Sequence, residues 1–271
     1  MAAGDKGSTE RKPLAVITGV TGGIGYELAK QFAEHGFDLL ITGRSDSIFT
    51  AAESLGKLGA QVELLQADLT QCDEVEKLYE WIKSHGPVEA LVLNAGVGVG
   101  GDFVRDTTLQ ENLDLISLNV TSVVHLAKRV GEDMVLAKRG KILITASTAA
   151  IIPVPYLSVY AASKAFVHMF AVTLGSELHG TGVTVTSLLP GPTESNWFDR
   201  SRMAGTRLGR AKRDDPALVA RQGYRGLMAG RTHVIAGSLL NRLQARLAKH
   251  GSLDVVLWLS RYFSQPDHHR A

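Results

Sequence analysis

Hydrophobic positions along this chain keep two alternating rhythms. Short β-type runs lie at Leu14–Thr18, Phe37–Thr42, Val62–Gln66, Ala90–Asn94, Lys141–Ala146, Val183–Leu189 and His233–Ala236, and several are apolar throughout, as strands covered on both faces are. Between them, apolar residues recur with helical spacing over Gly23–His35, Ser47–Leu58, Cys72–Ser84, Leu109–Ala137 and Ser158–His179. The alternation predicts an α/β fold: a doubly wound parallel sheet of about seven strands with helices on both faces.

Local signals support these boundaries. Thr70 precedes Gln71, Cys72 and Asp73, which places an N-cap before an acidic first turn. Gly36, Gly59, Gly86 and Gly140 each follow a helical run, where a C-terminal glycine belongs. The βα unit repeats without a Pro/Ser-rich linker, so residues 13–271 are read as one domain behind a disordered tail of residues 1–12. Residues 191–230 are read as a mobile lid, loosest from Gly191 to Asp214 and helical near Pro216–Ala229. Residues 238–265 form a C-terminal extension of two amphipathic helices, near Leu239–Lys249 and Leu253–Phe263.

The first strand runs straight into Gly19-Val20-Thr21-Gly22-Gly23-Ile24-Gly25 and then into a helix. Glycines at such a junction let backbone N–H groups approach a pyrophosphate, which also gains from the positive end of the helix dipole. Gly19, Thr21, Gly23, Ile24 and Gly25 are therefore expected at a dinucleotide. The spacing is Gly-x-x-x-Gly-x-Gly, and here the sequence resembles the short-chain dehydrogenase/reductase family, single-domain proteins of Rossmann type. The resemblance extends from Leu14 to about Ser195 through motifs in the family's order, and it implies an oxidoreductase.

Where an acidic residue would hold the ribose hydroxyls of NAD, the second strand ends in Gly43-Arg44, and Arg44 can clamp a 2′-phosphate. NADP is accordingly the expected cofactor. The resemblance implies that Asp68, followed by Leu69, meets the adenine amino group, although Asp68 is also placed to enter the helix beside Thr70. It implies that Asn94-Ala95-Gly96 supports the sheet and lines the cofactor. It also implies that Pro190-Gly191, with a hydroxyl from Thr193 or Ser195, holds the nicotinamide carboxamide.

Tyr160-Ala161-Ala162-Ser163-Lys164 carries the chemistry. Residues four apart share a helix face, so an ammonium lies near a phenol and favours its ionisation. The family likeness adds a bond from Lys164 to the nicotinamide ribose, places Ser147 at the substrate oxygen, and gives Asn119 a water in a proton relay. The catalytic set is thus Asn119, Ser147, Tyr160 and Lys164, acting on a carbonyl or alcohol. The same fold without turnover would be a cofactor-binding sensor or scaffold. Within enzymes, a 3-oxoacyl reductase is the alternative, with Arg200 to Arg213 as a docking patch.

Composition narrows the classes. With 45% apolar and 21% charged residues the chain is neither disordered nor fibrous. Net charge is +2, with basic residues spread out except at Arg200 to Arg213, which argues against nucleic acid. Cys72 is the only cysteine, no leader pattern precedes Lys12, and no apolar run approaches a bilayer's span, so a cytoplasmic protein without a transmembrane segment is expected. The nine histidines show no metal spacing. Neighbouring His268 and His269 belong to a tail, and His125 and His168 to helix faces. Trp197 and Phe198 suggest an apolar substrate wall, although Arg200 and Arg202 could instead attract an acid. A homodimer or homotetramer is expected through the helices of residues 109–137 and 158–179, as in the family. For the C-terminal helices three readings stay open: packing on the domain or a second subunit, a lid, or a membrane-surface anchor.

Overall fold

The structure is a computed structural model that describes residues 11–250 and 252–266. Its sheet has seven parallel strands: β1 (Leu14–Thr18), β2 (Asp38–Gly43), β3 (Val62–Gln66), β4 (Ala90–Leu93), β5 (Gly140–Thr145), β6 (Val183–Pro190) and β7 (His233–Ala236). They lie in the order β3-β2-β1-β4-β5-β6-β7. The crossover helices are α1 (Gly23–Glu34), α2 (Ser47–Gly56), α3 (Cys72–Ser84), α4 (Leu109–Ile116), α5 (Ser122–Leu136) and α6 (Ser158–Glu177). Short helices α7 (Trp197–Arg200) and α8 (Arg207–Arg210) follow β6, then α9 (Pro216–Met228), α10 (Leu239–His250) and α11 (Leu253–Ser264). Each expected strand and helix is present, with ends displaced by a residue or two.

Successive strand residues point to opposite faces, so each strand serves two cores. Val16, Leu40, Leu91, Leu93, Ile142 and Ile144 meet α3, α5 and α6. Ala15, Ile17, Leu39, Ile41, Val92 and Leu143 meet α1, α2 and α9 on the other side. This two-sided burial is why the strands read as unbroken apolar runs.

Two expectations need correction. The continuous helix over 109–137 is interrupted by a π-helical turn at Ser117–Thr121 between α4 and α5. Asn119 sits in that turn, and its amide is pulled toward Val97, which explains the extra residue in the ladder. In the second case, Arg11 and Lys12 are not part of a loose tail. Arg11 donates to the His85 carbonyl, and Lys12 Nζ donates to the Gly59 carbonyl at 2.8 Å, two helix ends with carbonyls to spare. The rest of that tail, residues 1–10, lies outside the described residues, as do His268 and His269.

The segment read as a lid divides in two. In α9, Val219, Ala220, Tyr224 and Leu227 are core residues, and Asp215 caps the helix by accepting from Ala217 N at 2.9 Å. Residues 191–215, carrying α7 and α8, cover the carboxyl ends of the central strands and bury Phe198 and Met203. His125 meets Glu76 at 2.7 Å and His168 meets Ser187 Oγ at 2.9 Å, both between packed elements.

Candidate active site

After β1 the chain winds outward to β2 and β3, then returns to place β4 on the other side of β1. The crevice opens at this reversal, beyond the carboxyl ends of the strands. Gly19 (φ 75°) and Gly23 (φ 56°) lie in the left-handed region and shape the turn. No side chain caps α1, so its first N–H groups face the crevice free of side-chain partners. A Cβ at Gly25 would stand 3.0 Å from the Gly19 carbonyl carbon and closer still to the Gly19 oxygen and Asn94 Nδ2. The turn therefore has to be glycine for α1 to approach β1 and leave its amino end open to an anion.

Asn94 ties three strands together. Its backbone N–H donates to Thr18 Oγ1 at 3.0 Å, its Nδ2 to the Thr18 carbonyl at 3.2 Å, and its Oδ1 accepts from Thr145 Oγ1 at 3.2 Å. Ala95 N also donates to Thr18 Oγ1, at 3.0 Å. This is the sheet-supporting part of what Asn94-Ala95-Gly96 was expected to do. Thr21 packs on Gly43, where a Cβ would come within 2.6 Å of Thr21 Cγ2. Ile24 packs its side chain toward the core, so any cofactor contact it makes is through the backbone.

Arg44 leaves β2 with its side chain 72% exposed and 3.6 Å from Asp68 Oδ2. Asp68 also accepts from Thr70 N at 3.1 Å and Thr70 Oγ1 at 2.9 Å. Burial pushes the Asp68 carboxyl up, but the Thr70 bonds and the Arg44 charge outweigh it and hold the group below its usual range. Asp68 thus performs the helix-entry task read from its neighbours, and the buried Leu69 anchors that turn.

Beyond β6, Thr193 is buried and donates to the Gly191 carbonyl at 2.9 Å, so its hydroxyl braces the Pro190-Gly191 turn. Ser195 lies against the glycine loop, its Cβ 3.1 Å from where a Gly23 Cβ would be. Asp214, which the sequence did not single out as a site residue, fastens this region. Its backbone N–H donates to the Pro192 carbonyl at 2.8 Å and its carbonyl accepts from Glu194 N at 2.9 Å. Its carboxylate accepts from Ser238 N at 3.1 Å and Asn241 Nδ2 at 2.7 Å.

Ser147, Tyr160 and Lys164 meet at the ends of β4 and β5. Ser147 caps a 3-10 turn (Thr148–Ala150), accepting from Ala149 N at 3.1 Å, and is hydrogen-bonded to the Tyr160 phenol. Burial pushes the Tyr160 phenol up to about 12, against the opposing bond with Ser147. Burial pushes Lys164 down to about 8. The ammonium donates to the Thr145 carbonyl at 2.9 Å and lies 5.8 Å from the Tyr160 ring centroid. The shared helix face holds, but in this structure the lysine does not offset the desolvation of the phenol.

Asn119 has both ends of its amide engaged. Oδ1 accepts from Val97 N at 2.9 Å, while Nδ2 donates to the Val97 carbonyl at 2.9 Å and to Ser163 Oγ at 3.0 Å. Asn119 Oδ1 and Lys164 Nζ converge on Gly96, at 3.1 and 3.2 Å from the position a Cβ would take. Gly96 is therefore the floor where β4, the π turn and α6 come together.

An apolar wall faces the phenol. The Trp197 ring centroid is 4.9 Å from that of Tyr160, and Tyr160 clusters with Leu115, Leu157, Phe198 and Met203. Gly98 makes room for Trp197, since a Cβ there would be 2.9 Å from Trp197 Cε2.

Residues 13–204 match the family model described as short chain dehydrogenase. An NADP-dependent 3-hydroxy acid dehydrogenase of Salmonella typhi is 30% identical over 193 residues, 71% of this chain and 77% of that protein. A 17-beta-hydroxysteroid dehydrogenase type 3 of Mus musculus is 35% identical over 182 residues, 65% of this chain and 58% of that one. A solved short-chain dehydrogenase from Sphingobium yanoikuyae, in complex with NADPH, superposes with a TM-score of 0.79 at 27% identity, covering 88% of this chain and 93% of that one. With the fold, the glycine turn and the Ser-Tyr-Lys cluster already in place, these matches establish that the chain belongs to the short-chain dehydrogenases, a family of oxidoreductases.

Proposed function

We propose that this protein is an NADP(H)-dependent oxidoreductase that interconverts a carbonyl and an alcohol. The observation that carries the reading is the convergence of Ser147, Tyr160 and Lys164 beside an apolar wall, at the end of a glycine crevice that could not accept a Cβ at Gly25. Gly19, Thr21, Gly23, Ile24 and Gly25 hold the pyrophosphate. Arg44 takes the 2′-phosphate, and Asp68 and Leu69 border the adenine. Asn94, Ala95 and Gly96 line the middle of the cofactor, while Pro190, Gly191, Thr193 and Ser195 border the nicotinamide. The named Salmonella relative and the NADPH-bound neighbour support the same cofactor.

When bound, the nicotinamide supplies or accepts the hydride and, oxidised, adds a positive charge beside the phenol. In the reducing direction Tyr160 gives its Oη proton to the substrate oxygen as that oxygen gains charge. Ser147 holds the same oxygen through its hydroxyl. Lys164 binds the nicotinamide ribose and receives proton traffic by way of Asn119. Asn119 Oδ1 and Lys164 Nζ crowd the same side of Gly96, which supports a relay that runs between them. Asn119 is also a positioning residue, since its bond to Ser163 fixes the first turns of α6.

The substrate is a small carbonyl or alcohol with an apolar body that meets Trp197, which the buried Phe198 and Met203 back. Exposed apolar residues on α4 and α6, including Leu109, Leu113, Phe166 and Met169, support a homodimer or homotetramer through these helices. We place the protein in the cytoplasm, where its single cysteine stays reduced.

The test follows NADPH absorbance with aliphatic, aromatic, steroid and 3-oxoacyl carbonyls. At least one class is turned over, and Tyr160→Phe lowers kcat by about 10²–10⁴ while NADPH binding stays within a fewfold of the parent. Near-normal turnover by Tyr160→Phe overturns the mechanism. NADPH binding without turnover of any class favours the sensor reading.

A further inference from the structure

The two C-terminal helices leave their apolar stripes uncovered. In α10, Leu239, Leu243 and Leu247 recur at four-residue steps and are 81%, 54% and 65% exposed. In α11, Val255, Trp258, Leu259 and Tyr262 follow helical spacing, and all are exposed. Most of these side chains do not pack on the domain, which removes the first half of one reading open from the sequence. The inner attachment of α11 is narrow: Val256 is buried, and the Arg207 guanidinium of α8 lies 3.8 Å from the Tyr262 ring centroid and donates to its carbonyl at 3.0 Å.

Charge identifies the occupant. Residues 197–266 contain thirteen of the chain's 29 lysines and arginines but only four of its 27 acidic residues. This segment is strongly positive while the rest of the chain is net negative, although the total is only +2. Within α10 and α11 themselves Arg242, Arg246, Lys249 and Arg261 stand against Asp254 alone, so a second copy of the same two helices would set positive charge against positive charge. An anionic lipid surface accepts both features, with apolar side chains in the acyl boundary and guanidinium and ammonium groups among the headgroups. Each helix is twelve residues long, about 18 Å, and no helix among the described residues is long and apolar enough to cross a membrane.

We propose that α10 and α11 are a docking surface by which the protein lies on an anionic lipid bilayer. The docked helices then sit on the segment whose inner side chains pack on Tyr160, because Arg207 joins α11 to the stretch that carries Phe198 and Met203.

The experiment is flotation of the full-length protein with vesicles of phosphatidylcholine, either pure or mixed with phosphatidylglycerol. The protein floats with the anionic vesicles, at least about tenfold more than with the neutral ones, and added salt weakens that binding severalfold. Brominated acyl chains quench its tryptophan fluorescence, and Trp258→Phe loses most of that quenching. A Leu243→Asp, Leu259→Asp double variant binds at least about tenfold less, with unchanged thermal unfolding and unchanged NADPH oxidation. Absence of flotation, or equal binding to neutral vesicles, overturns the proposal. So does a double variant that keeps floating while an oligomer seen by sedimentation velocity falls apart, since the face would then belong to a second copy. These outcomes read partition rather than turnover, so they stand apart from the catalytic assignment.

Discussion

Burial moves Tyr160 and Lys164 in opposite directions for a single reason: each loses the water that would stabilise its charged form. With the phenol near 12, ionising it at neutral pH would cost on the order of 7 kcal/mol, which the neighbouring ammonium does not offset. The resting site therefore holds a protonated phenol, already in the form that donates to a carbonyl oxygen. The Tyr-x-x-x-Lys spacing disclosed the shared helix face. It did not disclose the desolvation, which depends on Trp197, Phe198 and Met203 arriving from a distant segment. Arg44 follows β2 directly, as the sequence placed it, and its present partner is weak. A pairing at 3.6 Å with a side chain 72% exposed contributes about 0–1 kcal/mol, whereas a charge-assisted bond to a phosphate contributes about 1.5–3 kcal/mol. In the proposed role the phosphate contact wins that comparison, and Arg44→Ala should raise the Kd for NADPH about ten- to a hundredfold while leaving NADH nearly unchanged. Fluorescence titration with both cofactors decides this, and equal losses for the two would remove Arg44 from the 2′-phosphate site.

At the level of elements, β1, the glycine turn and α1 form one unit whose dimensions are set by the lack of a side chain at Gly25. An alanine there would drive its methyl into the backbone of Gly19 and the amide of Asn94, neither of which is a flexible side-chain end that can swing aside. Overpacking of this kind costs about 1–3 kcal/mol. Gly25→Ala should accordingly lower Tm by several degrees and weaken NADPH binding, because the amino end of α1 is pushed off the turn. Differential scanning calorimetry and cofactor titration check both parts, and an unchanged Tm with unchanged affinity would mean that the close approach has no energetic weight. Glycine spacing made this unit readable in the sequence. The π turn at Ser117–Thr121 was not readable, since Leu109–Ala137 keeps helical periodicity throughout and the distortion comes from Asn119 bonding to Val97 across the fold.

Across the whole molecule, the features the sequence concealed are those that join remote segments. The strand pattern foretold the sheet because every strand is covered on both faces, but nothing local marked Asp214 as the knot between the cap, β7 and α10. It lies beside Asp215 and Pro216, a pair that reads simply as the start of a helix. In the fold its carboxylate holds Ser238 N and Asn241 Nδ2, and its backbone bridges Pro192 and Glu194. The turn after β6 and the origin of the C-terminal helices thus share one buried side chain. Asp214→Ala keeps the backbone bridge but leaves two donors without their acceptor, at a cost of about 1–3 kcal/mol for each one that remains buried. Tm should fall by several degrees, and limited proteolysis should cut between β7 and α10 faster than in the parent. NADPH affinity should fall less than Tm implies, because the Thr193 bond to Gly191 persists. Cleavage at the parental rate, with Tm preserved, would show that the C-terminal helices are fastened elsewhere, with Arg207 on Tyr262 as the remaining anchor.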